Sequence, residues 1–300
     1  MARSFCQITD LTAAEVHEVF DLCAAMKKKK IAPKPFEGKS VACIFTKESL
    51  RTRISFEVGI NDLGGNPIYV TGPEIKLGQR ESVADAARVL SRYVATIMIR
   101  TFDHADVEEL AKYASVPIVN GLTDLVHPCQ IMGDYFTMLE HLPGKDRYKV
   151  AYVGDGNNIT NSWLNLASII PLDFRIGTAE DCQPDQALLA KAKANPKSDI
   201  LVTDDPKEAV ADADAVYTDV WASMGQKHQA DDKAKKLQKY QLNSALMEGA
   251  SPHAIVLHCL PAERGREITD EVMDGPQSVV FDQAENRLHI QKAIMTFLMK

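Results

Sequence analysis

Ser40-Val-Ala-Cys-Ile-Phe45, Thr46-Lys47-Glu48, Ser49-Leu50-Arg51-Thr52-Arg53, Ile54-Ser55-Phe56-Glu57-Val58-Gly59 and, after three more residues, Leu63-Gly64-Gly65 is the stretch from which the fold is read. Residues 41–45 are a short apolar run of strand type. Residues 54–63 carry apolar side chains at helical spacing, and the glycine pair is a C-terminal stop. Residues 49–53 therefore fall where a strand ends and a helix begins. Unpaired N–H groups and a positive partial charge make such a point receptive to phosphate. Two arginines and two hydroxyls add bidentate forks and short donors there. The competing reading is an Arg-rich first turn that is merely solvated. A P-loop is excluded, because its glycines and its Gly-Lys pair are missing.

Working outward, Thr12-Ala-Ala-Glu15 is a capping box that opens a first helix. Strands are expected at 67–71, 95–99 and 116–119, with helices at 81–93, 104–113 and from about 130 to 141. Leu142-Pro143-Gly144-Lys145 is the expected domain boundary. The alternation then restarts, with strands at 149–153, 173–176, 199–202, 213–217, 254–257 and 279–281 and a last helix at 284–299. Strand and helix alternating twice over predicts an α/β protein of two doubly wound parallel-sheet domains, 1–143 joined by 284–300, and 144–283. Ligands of such sheets bind outside the carboxyl ends of the strands. The chemically loaded residues fall just there in both halves, so the active site is expected in the cleft between the domains.

Composition excludes several classes. The 300 residues, 45% hydrophobic and 25% charged, suit a globular enzyme. A net charge of −7 argues against nucleic-acid binding, and Lys27 to Lys30 reads as a solvated helix end. Six scattered cysteines form neither a zinc pattern nor a disulfide framework, so no metal is expected and a reducing cytoplasm is. No apolar run is long enough for a bilayer, and no signal core is present.

Each remaining motif has a functional and a bland reading. Arg100, at the end of an apolar strand, is an anion ligand or a surface cap. His127-Pro128-Cys129-Gln130 ends a loop and opens a helix; His can donate to an oxyanion and Gln can hold an amide. Gly154-Asp155-Gly156-Asn157-Asn158 invites a dinucleotide, but Ile159 stands where the third glycine belongs. A turn presenting two Asn side chains to a polar ligand is the better reading. Asp219-Val220-Trp221-Ala222-Ser223-Met224-Gly225 offers a carboxylate for an ammonium and side chains for its alkyl stem, or a turn with a core Trp. His258-Cys259-Leu260-Pro261 presents a thiol that can orient an amine, or a buried inert Cys. Arg287 near the expected start of the last helix opposes the helix dipole, so a ligand or ion pair holds it.

Together these motifs resemble the aspartate/ornithine carbamoyltransferase family, on its ornithine-using side, over nearly the whole chain. Ser49-Leu50-Arg51-Thr52-Arg53 is similar to the family's carbamoyl-phosphate loop. His127-Pro128-Cys129-Gln130, Asp219-x-Trp-x-Ser223-Met224-Gly225 and His258-Cys259-Leu260-Pro261 have the ornithine form. The resemblance implies that residues 1–143 bind carbamoyl phosphate and residues 144–283 bind ornithine. Ser49, Leu50, Arg51 and Thr52 then hold the phosphate. Arg100, His127 and Gln130 bind the carbamoyl phosphate, with Arg100 and His127 facing its carbonyl oxygen; Arg287, Cys259 and Leu260 complete that site. Asn158, Asp219, Ser223 and Met224 bind ornithine. The resemblance also implies a homotrimer or a multiple of trimers, with a neighbouring copy's residue reaching each site. Lys76 stands at that position, where Gln or His is typical.

The implied reaction belongs to arginine metabolism and needs neither metal nor other cofactor. Carbamoyl phosphate binds first, ornithine follows, and the domains close. The neutral δ-amine attacks the carbamoyl carbon, with Arg100, His127 and Thr52 stabilising the oxyanion. Asp219 and Cys259 order the amine, and no covalent intermediate forms. Putrescine, acetylornithine or another amine remains open as acceptor. A non-catalytic binder of anions and amino acids, and a nicotinamide oxidoreductase, remain as other classes.

Overall fold

The computed structural model describes residues 2–222 and 230–300, with the side chains of all these except 230 and 231. Residues 41–45 are fully enclosed, and this continuous apolar run makes β1 (Ser40–Phe45) a strand covered on both faces. It pairs in parallel with β2 (Asn66–Thr71) on one side and β3 (Thr96–Arg100) on the other. β4 (Ile118–Leu122) pairs with β3, giving the order β2-β1-β3-β4. β4 runs past the expected 116–119 through Asn120 and Gly121, residues of poor strand propensity. Tertiary contacts override that propensity. The Asn120 N–H donates to the Phe5 carbonyl at 2.9 Å, and its side-chain amide donates to the Cys6 carbonyl at 2.8 Å. A Cβ at Gly121 would lie 2.9 Å from Met98 Sδ and 3.3 Å from the Ile99 carbonyl, so a side chain there would force Met98 to move. Ile44, Ile97, Ile99, Val107, Leu110 and Ile118 anchor the core on one side of this sheet.

The second sheet contains β5 (Tyr148–Val153), β6 (Leu172–Gly177), β7 (Asp199–Thr203), β8 (Ala215–Thr218) and β9 (Ile255–His258) in the order β7-β6-β5-β8-β9, again all parallel. Ala151, Val153, Val216, Trp221, Tyr240 and Val256 lie in its core. The expected strand at 279–281 is not one. Ser278 makes a single parallel bridge with Val256, and Val280 then begins the helix Val280–Leu298. Val280 packs in the core as a helical residue. A short apolar run does not by itself separate a strand from a buried helix end.

The chain divides into two compact units, Met1–Gly133 with Asn286–Lys300, and Asp134–Glu285. Both divisions fall inside helices, Pro128–His141 and Val280–Leu298. Each sheet has one point where successive connections leave in opposite directions: between β1 and β3 in the first, and between β5 and β8 in the second. In open parallel sheets that point opens a crevice beyond the carboxyl ends of the strands. Residues 46–52 and Arg100 border the first such point, and residues 154–158 and Asp219 border the second.

Candidate active site

In the first unit the loop after β1 feeds the helix Leu50–Asp62. Ser49 caps it, its Oγ accepting the Thr52 N–H at 3.2 Å. The helix thus begins within the expected 49–53 corner, and Leu50 to Arg53 form its first turn. Thr52 is fully buried, and its hydroxyl oxygen accepts two guanidinium donors, Arg100 Nη1 at 3.2 Å and Arg287 Nη2 at 2.7 Å. Two buried guanidiniums converging on one hydroxyl concentrate positive charge and N–H donors at that point, which suits an anion.

Arg287 is not near the start of its helix, as expected from sequence. The helix begins at Val280, so Arg287 lies two turns in, and the dipole argument for it lapses. Its buried side chain is held instead by the contact with Thr52. Arg53 is also set apart from the anion site, since Glu57 takes its Nε at 2.9 Å and Tyr69 underlies it at 3.8 Å. Arg51 is half-buried in the same turn.

His127 and Gln130 are both buried at the start of the helix Pro128–His141. Burial, followed by the charges of Arg287, Arg100 and Lys47, holds the His127 imidazole well below its ordinary range, so it is neutral at pH 7. Lys47 is a participant that the sequence reading passed over. It is buried, donates to Asp124 Oδ1 at 2.6 Å, and lies 5.0 Å from the Phe102 ring centre. Its only sequence signal is a cation wedged between a strand end and a helix cap. Lys76 is exposed, in left-handed backbone at the end of the short helix Gly72–Ile75.

In the second unit Asp219 lies just past β8 and is buried. One carboxylate oxygen accepts the Val220 N–H at 2.8 Å and the Cys259 thiol at 2.9 Å. The other accepts Asn157 Nδ2 at 2.8 Å. Asn157 also caps the helix Asn158–Ala167, so its side chain ties the turn after β5 to Asp219. Asn157 binds Asp219 directly, and Asn158, expected from the resemblance to bind ornithine, is the first helical residue beside it. Gly156 is required in this turn, because a Cβ there would lie 2.4 Å from the Cys182 carbonyl. Ser223 and Met224 lie outside the described residues.

Cys259 and Leu260 follow β9 directly. The Leu260 N–H donates to His258 Nδ1 at 2.9 Å, and His258 Nε2 faces Glu267 Oε1 at 3.1 Å. Gln283 Oε1 accepts the His258 N–H at 2.8 Å. Asp219, His258 and Cys259 bring possible ligand atoms within 4.8 Å of one another, the one such group among the described residues. Both His258 nitrogens are already engaged, which leaves a carboxylate and a thiol, a poor set for a structural metal.

Chemically, the first unit offers a dry cluster of cationic and neutral donors around a helix N-terminus, suited to a phosphate and a polarised carbonyl. The second offers a fixed carboxylate beside a thiol, suited to an amine. Residues 3–140 match the profile of the aspartate/ornithine carbamoyltransferase carbamoyl-P binding domain, and residues 146–298 match that of its Asp/Orn binding domain.

The chain belongs to the aspartate/ornithine carbamoyltransferase family.

Within that family it is 48% identical to an ornithine carbamoyltransferase of Syntrophus aciditrophicus over 301 residues, 99% of this chain and all of the relative. It is 48% identical to that of Geobacter sulfurreducens over 303 residues, the full length of both. Among solved structures, the ornithine carbamoyltransferase of Pyrococcus furiosus superposes with a TM-score of 0.93 at 44% identity, covering 99% of this chain and 97% of that one. No helix among the described residues is long and apolar enough to cross a membrane.

Proposed function

We propose that this carbamoyltransferase-family chain moves the carbamoyl group of carbamoyl phosphate to the δ-amine of L-ornithine, giving L-citrulline and phosphate. The observation that carries the donor half is the Thr52 hydroxyl accepting both Arg100 and Arg287, beside the neutral His127. Carbamoyl phosphate belongs to the first unit and ornithine to the second; the descriptions of the two matching domain profiles support that division. Full-length relatives named ornithine carbamoyltransferase support the choice of amine.

Ser49, the Leu50 N–H, Arg51 and Thr52 take the phosphate at the helix N-terminus. Arg100, His127 and Gln130 take the carbamoyl end, with Arg287 neutralising the phosphate. The backbone around Cys259 and Leu260 completes the site, its carbonyl oxygens accepting from the carbamoyl NH2. Asn158, Asp219, Ser223 and Met224 take ornithine. A free alkyl amine has a pKa of about 10 and is protonated at pH 7, so it must shed a proton before attack. Asp219 and the Cys259 thiol order the neutral amine; its nitrogen then bonds to the carbamoyl carbon. The oxyanion that forms is met by Arg100, Thr52 and the neutral His127 as donors. The carbon–oxygen bond to phosphate breaks, phosphate leaves with the electron pair, and the proton lost by the attacking nitrogen goes to that phosphate.

A homotrimer, or a multiple of it, is supported by the exposed face of Leu50, Ile54 and Val58, which recur every fourth residue along the helix Leu50–Asp62. Lys76 is then the side chain that reaches a neighbouring copy's phosphate. Light scattering should give a trimer-multiple mass, and Ile54→Asp should lower it to a monomer; a monomeric wild-type protein would refute the assembly. The cytoplasm and arginine biosynthesis are the setting; the scatter of free cysteines, five of them buried, supports a reducing compartment. The function is tested by offering carbamoyl phosphate with ornithine, putrescine, acetylornithine or aspartate. Citrulline from ornithine alone is the expected result. Transfer to another amine would discard the acceptor, and transfer to none from folded protein would discard the enzyme.

A further inference from the structure

Asp155 is buried in the turn after β5, and the reaction proposed above gives it no task. The turn is held tightly. Its carbonyl accepts from Tyr152 Oη and from the Asn157 N–H, both at 2.8 Å. The Gly156 N–H donates to the Cys182 carbonyl at 2.8 Å. The Asp155 carboxylate accepts Lys233 Nζ at 2.6 Å, with the two side chains 9% and 19% exposed.

Lys233 comes from the helix Ala230–Leu237. One turn further, Lys236 pairs with Asp181 in the segment after β6. Two lysines three residues apart, on one helix face, thus grip two turns at the carboxyl end of the second sheet. The next residue after Gly156 is Asn157, which holds Asp219.

A carboxylate this enclosed depends on its partner. Burial raises the Asp155 carboxyl above its ordinary range, the Lys233 ammonium draws it back, and the charge of Asp219 raises it further. Asp155 and Asp219 therefore sense each other. Without Lys233, Asp155 either stands as an anion without its cation beside Asp219 or takes a proton. In both cases the turn keeps its backbone hydrogen bonds but loses the ion pair that ties its side chain to the helix Ala230–Leu237.

We propose that Lys233 and Asp155 form a positioning pair for the acceptor half of the site: their ion pair fixes the 154–157 turn so that Asn157 holds Asp219 and Asn158 opens its helix in register for the amino-acid substrate. The inference rests on reading the second unit as the ornithine half. The proposed reaction gives neither residue a contact with substrate, so the pair governs how well ornithine is received and leaves the handling of carbamoyl phosphate alone.

The test is a split of Michaelis constants on the full-length protein. Lys233→Met should raise KM for ornithine by about tenfold or more, a loss of roughly 1.4 kcal/mol of acceptor binding, with KM for carbamoyl phosphate moving less than about twofold. Lys233→Arg, which keeps the cation, should restore ornithine KM. If Lys233→Met fails to fold around its stranded carboxylate, Asp155→Asn with Lys233→Met removes both the charge and the link. That double variant should fold and still show the raised ornithine KM. An ornithine KM at the wild-type value in a folded variant, or equal movement of both constants, would overturn the pair's role. Absence of citrulline from the wild-type protein would instead count against the functional reading.

Discussion

Thr52→Val keeps the shape of the side chain and removes the acceptor shared by Arg100 and Arg287. A hydrogen bond from a charged donor contributes about 1.5–3 kcal/mol. The 2.7 Å bond from Arg287 belongs near the top of that range and the 3.2 Å bond from Arg100 near the bottom. Some relaxation of the guanidiniums offsets the loss, so the ligand-free protein should lose about 3 kcal/mol of stability. Inorganic phosphate can bridge both guanidiniums in place of the hydroxyl, so it should stabilise the variant more than it stabilises wild type. Turnover should fall by about 10²-fold, because the hydroxyl aims Arg100 at the developing oxyanion. Thr52→Ser, which retains the oxygen, should stay within about tenfold of wild type. The assays are thermal unfolding with and without phosphate, and citrulline formation at saturating substrates. A Thr52→Val protein with wild-type stability and turnover within about threefold would refute the argument.

Arg100→Ala removes an oxyanion donor outright and should cost roughly 10²–10³ in turnover with ornithine KM little changed; near-normal turnover would remove Arg100 from the chemistry. Cys259→Ser keeps a donor to Asp219 and should remain active, whereas Cys259→Ala should raise ornithine KM. A carbamoylated wild-type protein caught by mass spectrometry would overturn direct attack. The folded His127 titrates below its unfolded value of about 6.5, so the unfolded chain binds more protons as pH falls through that value. Stability should therefore decline below about pH 6.5, by up to about 1.4 kcal/mol per pH unit, until the folded value is crossed. Buried His104 adds a loss of the same sign. His127→Gln should flatten the decline, and an unchanged slope would show that other groups cause it.

The parts legible in sequence were those in which one local signal decides the outcome. The apolar run 41–45 and the helical spacing from 54 placed the donor cluster at a strand-to-helix corner, and strand-end positions placed Arg100, Asp219 and Cys259. What escaped depends on distant partners. Nothing in the two adjacent asparagines says that Asn157 would both cap the helix and reach Asp219, since that follows from how the turn folds. Val279 and Val280 have strand composition, and only their packing makes Val280 the first residue of a helix. Moving that helix start back from 284 changed the meaning of Arg287, from a strained terminus to an interior residue held by Thr52. Lys47 was hidden because its importance lies in burial, which a lone lysine does not advertise.

The helix Val280–Leu298 bears on the order in which the protein can come to life during translation. Arg287, Lys292 against Asp62, and Lys300 against Glu18 all belong to the unit whose sheet is encoded in the first 133 residues. The ribosome adds about 5–20 residues per second, so the emerging sheet waits on the order of ten seconds or more for its last helix. During that interval the faces that later receive this helix, Gly59 against Leu288 and Gly133 against Ile290, stand uncovered. Nascent chains stalled before residue 286 should therefore recruit chaperones through their first half, even though that half was synthesised earliest. A premature stop there would yield an intact acceptor unit attached to a donor unit that lacks its second guanidinium.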